Sequence, residues 1–143
     1  MSGIKDLELL LASLDVTVRP DPYCVVTVPR SSPALSSSAA LIAEEEGVTA
    51  VLTAEDADRL GISTTSRFAW LTLTVHSSLD AVGLTAAFSA ALAREGLSCN
   101  VLAGYHHDHI LVPFGDRERA AEVIRSLRTG DTSTDRSGNA AHS

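Results

Sequence analysis

The chain has 143 residues, 45% hydrophobic and 20% charged, with 18 acidic against 11 basic residues and a net charge of −7. Those values fit one compact domain or two very small ones, and they argue against nucleic-acid binding, which needs clustered Lys and Arg against phosphate. Even the densest basic stretch, Arg117 to Arg128, is interrupted by Glu118 and Glu122.

No apolar run reaches the length of a membrane-spanning helix. Met1 to Leu14 carries Lys5, Asp6 and Glu8 and lacks the pattern of a signal peptide. Cys24 and Cys99 each sit in an apolar, β-like run and read as buried free thiols, so the expected compartment is the cytoplasm.

In chain order, Ile4, Leu7, Leu11 and Leu14 recur at helical spacing, predicting a helix over 3–14 with Ser2 placed to cap it. "RPDP" breaks the chain. "YCVVTVP", 23–29, is β-branched and reads as a strand, and "RSSPALSSS" as a polar loop. Residues 39–46 fit either a short helix or a strand that turns at Glu46-Gly47 into "VTAVLT". "AEDADRL" reads as a short helix ended by Gly61. "FAWLTLTV", 68–75, is a strand with Leu71, Leu73 and Val75 on one face and Phe68, Trp70, Thr72 and Thr74 on the other. Leu84, Phe88, Ala91 and Leu92 form a helical stripe stopped by Gly96. "SCNVLAGY" and "ILVPF" read as two strands facing each other across His106, His107, Asp108 and His109. "GDRERAAEVIRSLR" reads as a helix with Asp116 as N-cap and Ala120, Val123, Ile124 and Leu127 inward. Residues 129–143 carry almost no apolar side chain and are expected to be disordered.

Residues 67–128 therefore read β-α-β-β-α, a split βαβ unit short of its fourth strand. That strand must come from the N-terminal half or from a partner chain. "LIAEEEGVTAVLTAEDADRL" echoes "VLAGYHHDHILVPFGDRERAAEVI". The expected fold class is α+β: two ferredoxin-like modules (βαββαβ), antiparallel, with helices on one face. The first is abbreviated and spans 1–64, the second spans 65–128, and a tail follows. The Phe68/Trp70 face needs cover, so the modules are expected to share a sheet or pack together.

"LTVHSSLDAVGLTAAFSAALAREGLSCNVLAGYHHDHILVP" resembles an ACT domain: Val75–Leu84 gives the strand and glycine-bearing loop, Leu92–Gly96 the helix end, and Asn100-Val101 the second strand. Residues 1–128 as a whole resemble a family of small stand-alone bacterial tandem ACT-like proteins of unassigned function. The resemblance implies a regulatory protein without catalysis that binds a small effector, most often an amino acid, between modules. It implies a ligand site at the loop His76, Ser77, Ser78, Asp80, Val82, Gly83, Leu84 and Thr85, with the second-strand position Asn100. It also implies no cofactor, a homodimer, and an unidentified enzyme or regulator as partner.

The residue types suit that role. First-turn N–H groups and the helix dipole favour a carboxylate, Asp80 an ammonium, and Asn100 either. The bland alternatives are a capping start made by Ser77 and Asp80, and an edge-strand amide at Asn100. His109, at the edge of this loop, is added to the ligand set. His106 and His107 read as a polar turn, where Asp108 tolerates turn geometry.

A metal site from His76, His107, Asp108 and His109 is the alternative, weakened by the absence of a thiolate and of spaced ligand pairs. A protein-interaction module using the Trp70 face is another. Catalysis through Ser77 or Ser78 with His76 and Asp108, or through Cys99, has no supporting motif.

Overall fold

The computed structural model describes residues 2–75 and 83–128, with residues 2–6 as backbone alone. The expected disorder of 129–143 and the loop calls from His76 to Val82 lie outside the described residues.

Helix α1 (Ser2–Ala12) turns through Leu14 into β1 (Asp15–Val18), and β2 (Tyr23–Val28) follows. A short 3-10 helix, Pro33–Ser37, stands where a first module helix would be, with Ser32 accepting from the N–H of Ala34. Next come β3 (Ala40–Glu44), β4 (Gly47–Thr53) and α2 (Ala54–Arg59), which Thr53 caps by accepting from the N–H of Asp56 at 3.2 Å. The second half is β5 (Phe68–Thr74), α3 (Leu84–Arg94), β6 (Asn100–Ala103), β7 (Asp108–Pro113) and α4 (Arg117–Ser126).

The strands form one seven-stranded antiparallel sheet in the order β3-β4-β2-β5-β7-β6, with β1 joining β5 beside β2. Of residues 39–46, Ala40–Glu44 thus form a strand that turns at 45–46 into β4, with Leu41 opposite Ala50 and Ala43 opposite Val48. The strand missing from the second module is β1, which the sequence left unassigned. Asp15 pairs Thr74 and Val18 pairs Leu71. In return β5 lies beside β2, Phe68 against Tyr23, where the first module needs its fourth strand. Each module therefore borrows a strand from the other half, and β5 serves both. The boundary near residue 64 divides the chain in sequence but not in space: Leu10, Leu14 and Val16 are buried with Leu71, Phe88, Leu92, Ile110 and Ile124.

Alternation sorts the side chains. Ala69, Leu71 and Leu73 face this core under α1, α3 and α4. Cys24, Val28, Val48, Ala50 and Leu52 face a second core under α2 and the 3-10 helix. The helices of the described residues therefore all lie on one face. The other face carries a third cluster of Tyr23, Val51, Trp70 and Leu111, flanked by Ala40, Phe68 and Leu102, into which the curled sheet folds. Trp70 is 3% exposed although no helix of the described residues covers it.

Asp116 belongs to a 3-10 turn, Phe114–Asp116, and its side chain makes no capping bond to α4. Arg125 instead ties α4 to β1, donating from Nη2 to the Val16 carbonyl at 2.9 Å.

Both cysteines are free, Cys24 buried and Cys99 half-buried. Burial pushes both thiols up, away from the thiolate that nucleophilic chemistry needs.

Candidate functional site

The expected ligand loop leads from β5 to α3. Gly83 opens α3 in the left-handed region at φ +96°, where an L side chain is strained, and as the N-cap it has no side chain of its own to cap the helix. A Cβ at Gly83 would lie 3.4 Å from Leu7 of α1. Leu84 turns its side chain, 6% exposed, into the core with Phe88, so what it presents to the loop is its first-turn backbone. Leu84 belongs to the motif and to the apolar stripe alike, and the stripe decides its direction. Thr85 is exposed beside it.

The β6–β7 hairpin turns over Gly104 to His107, closed by the Gly104 N–H donating to the His107 carbonyl at 3.0 Å. Leu73 pairs Asp108, so this turn lies at the same end of the sheet as the exit of β5. Asn100 is exposed on β6 opposite Leu111, on the helix-free face. His109, opposite Thr72, lies on that face too, one strand pair nearer the turn. The expected set is thus split: Gly83 to Thr85 start a helix on one side of the sheet, and Asn100 and His109 occupy the other.

His109 is the most constrained of the histidines. Its Nδ1 is 3.2 Å from Trp70 Nε1 and 2.9 Å from Thr72 Oγ1. An indole N–H only donates, so Nδ1 accepts and the imidazole proton sits on Nε2. Burial first, then the Arg19 guanidinium and His107, hold its pKa below the ordinary value, against an opposing pull from Asp108. His109 is engaged through Nδ1 with Trp70 and Thr72, which suits a structural or positioning role. Its ring centroid is 6.5 Å from that of His107. Among the described residues no three His, Cys, Asp or Glu side chains converge on a metal position; His76, the remaining member of the metal alternative, lies outside them. Tyr105 is 80% exposed and meets His106 edge-on at 4.9 Å, consistent with a polar turn.

Gly104 is what lets the hairpin lie over His109. A Cβ there would sit 2.6 Å from the His107 carbonyl oxygen and 2.9 Å from His109 Nε2. Gly104→Ala is expected to destabilise the fold by roughly 1–3 kcal/mol, as overpacking does, and to shift Trp70 emission as the acceptor of its N–H moves. Gly115→Ala, where no atom lies within 4 Å, is the control and should stay within about 0.5 kcal/mol of wild type by chemical denaturation.

Sequence reasoning did not find Arg19, Tyr23 and Thr72 around this histidine. Arg19 sits between the strands, 4.1 Å over the Trp70 ring and 3.1 Å from the Tyr23 hydroxyl. Period-two alternation placed Thr72 on the right face, but nothing local to "VRPDPY" links Arg19 to a tryptophan 51 positions on.

Two family models describing ACT domains match the chain, over residues 2–69 and 65–126. The chain belongs to the ACT-domain family. A crystal structure of a Vibrio cholerae protein of unknown function, described as a possible transport protein, is 44% identical, with a TM-score of 0.80 over 88% of this chain and 98% of that one. The ACT protein also shares its fold with a Clostridium acetobutylicum aspartate kinase, at 12% identity and TM-score 0.58 over 78% of this chain and 34% of that chain. The regulatory subunit of aspartate kinase from Thermus thermophilus matches at 10% identity and TM-score 0.55, over 78% and 95%. No curated protein matches the chain significantly. Family membership gives the protein a small-molecule-binding, regulatory character, and no helix among the described residues is long and apolar enough to cross a membrane.

Proposed function

We propose that this ACT protein is a non-catalytic, cytoplasmic sensor of an amino acid, working as a homodimer on an enzyme or regulator partner. The observation that carries the reading is that both halves of the chain are ACT modules joined through one shared strand. The effector lies against the loop of His76, Ser77, Ser78, Asp80, Val82, Gly83 and Thr85 of one copy, and Asn100 and His109, which face the other side of the sheet, come from the second and third strands of a module in a second copy. Its carboxylate takes first-turn N–H groups of α3 and its ammonium takes Asp80.

The sheet order supports the dimer. The second strands of the two modules, β3 and β6, are the opposite edges of one sheet. A site made from the loop of one module and the second strand of the other therefore spans two copies of the chain. The β6 edge, Asn100–Ala103, is uncharged with Val101 exposed, and the β3 edge exposes Leu41 and Ile42 before its one charged residue, Glu44, at the turn.

Thermal-shift screening against the proteinogenic amino acids at millimolar concentration tests this. At least one should raise the unfolding temperature, and Asp80→Ala and Asn100→Ala should each abolish that shift. A screen without any shift overturns the amino-acid reading, and a shift that survives both changes moves the site elsewhere.

A further inference from the structure

We propose that Arg19 forms a second ligand site, separate from the loop of residues 76–85, that binds a small carboxylate on the helix-free face of the sheet.

Arg19 is fixed at four points. Its backbone N–H donates to the Trp70 carbonyl at 2.9 Å, and its Nη1 donates to the Tyr23 hydroxyl at 3.1 Å. Its guanidinium lies 4.1 Å over the Trp70 ring and 5.8 Å from the centre of the Tyr23 ring. Pro20 and Pro22 follow in sequence and restrict the backbone on that side. A guanidinium held this way loses little freedom on binding.

What it lacks among the described residues is an anion. Arg19 is half-buried, yet no carboxylate oxygen of the described residues lies within 4.0 Å of it, and its Nε and Nη2 have no partner among them. The chain has 18 acidic residues against 11 basic, so carboxylates are plentiful. Arg59, Arg119 and Arg125 each have one. Asp21, two positions away, is exposed and makes no pair with it. The neighbouring polar groups are spent or neutral: His109 Nδ1 on Trp70 and Thr72, and the Tyr23 oxygen on Arg19 itself.

A planar fork with two open donor positions matches a carboxylate in geometry as well as charge. The site is distinct from Asn100, which lies three strands from Arg19 along the row Arg19–Trp70–Leu111–Asn100, about 14 Å at ordinary strand spacing.

Trp70 is the one tryptophan of the chain, so its emission reports this site directly. Succinate is the probe, with succinamide as the uncharged isostere and sodium chloride at matched ionic strength. Succinate should change Trp70 emission saturably, with the same midpoint by calorimetry, and neither control should. Arg19→Gln, checked for folding by circular dichroism, should abolish the response. Arg19→Lys, which keeps the charge and loses the fork, should weaken it by about tenfold or more. No saturable signal by either method, an equal response to succinamide, or a response surviving in folded Arg19→Gln overturns the proposal. The amino-acid thermal shift is read separately, so either site can fail while the other stands.

Discussion

A chain that starts at Arg19 is expected to lose the fold of its C-terminal half, although the deleted residues are more than 45 positions away from β5 in sequence. The deletion removes α1 and β1. Leu10, Leu14 and Val16, at 6%, 0% and 2% exposure, leave the core that holds Leu71, Phe88 and Ile124. Large-to-small changes at such positions cost about 2–5 kcal/mol each, and three together match or exceed the roughly 5–15 kcal/mol by which a whole domain is stable. The deletion also strips β5 of its partner over Leu71 to Thr74 and Arg125 of its acceptor on Val16. Hydrogen exchange should show β5, β6 and β7 unprotected, with dye binding to newly exposed apolar surface. Because β5 also borders β2, protection in β2 and β4 should fall as well. A truncated protein with native protection in β7 would show that the halves are independent, and the exchange of strands would then carry no stability. The single substitution Leu14→Ala is the milder form, expected to cost about 3–5 kcal/mol without removing backbone pairing.

How far this architecture was legible depended on how many periods each element offers. Helix α3 declared itself because Leu84, Phe88, Ala91 and Leu92 repeat the stripe over three turns, and all four are buried. Strand β5 did so through seven alternating residues whose faces came out as read. Strand β1 has four, Asp15–Val18, between a helix end and "RPDP", too few for a period to stand out. Strand β3 gave no alternation because it is an edge strand exposed on both faces, with Leu41 at 48% and Ile42 at 45%. The need for a fourth strand was nonetheless readable from the βαββα order, and β1 meets it.

The site was legible only in part for a related reason. The hairpin and the exit of β5 share one end of the sheet, a consequence of antiparallel order that sequence supplies. The engagement of His109 does not follow from order, since it depends on Trp70 and Thr72 meeting one nitrogen across a strand pair. Arg19 is harder still: its local sequence is a turn, and its meaning comes from the aromatic rings it lies on. Side chains whose role is set by cross-strand neighbours carry no periodic signal of their own.

Trp70→Ala is expected to cost about 3–5 kcal/mol and to change the pH dependence of what stability remains. Trp70 is 3% exposed where the two modules meet, 5.3 Å from the Tyr23 ring on β2 and 5.2 Å from the His109 ring on β7. Its loss leaves a cavity on the helix-free face, removes the surface on which Arg19 rests, and takes away the donor that makes His109 Nδ1 an acceptor. In the wild type, burial, Arg19 and His107 hold the folded-state pKa of His109 below the ordinary imidazole value, with Asp108 acting the other way. Between those two pKa values the unfolded chain binds more protons than the folded one. Stability from this group is therefore fully present above the ordinary value near 6.5, falls as pH drops through the window below it, and levels off beneath the folded-state pKa. Water entering the cavity of Trp70→Ala weakens the burial that lowers the pKa, and Arg19 loses its seat beside the ring. The folded-state pKa then rises toward the unfolded one, and the slope of stability against pH flattens. Urea denaturation from about pH 7.5 to about pH 5.5, above the range where carboxylates dominate, measures this. His109→Gln, which cannot titrate, should flatten the slope while keeping Trp70 in place. A slope unchanged in His109→Gln would assign the pH dependence to another group and leave the Trp70–His109 contact as packing alone.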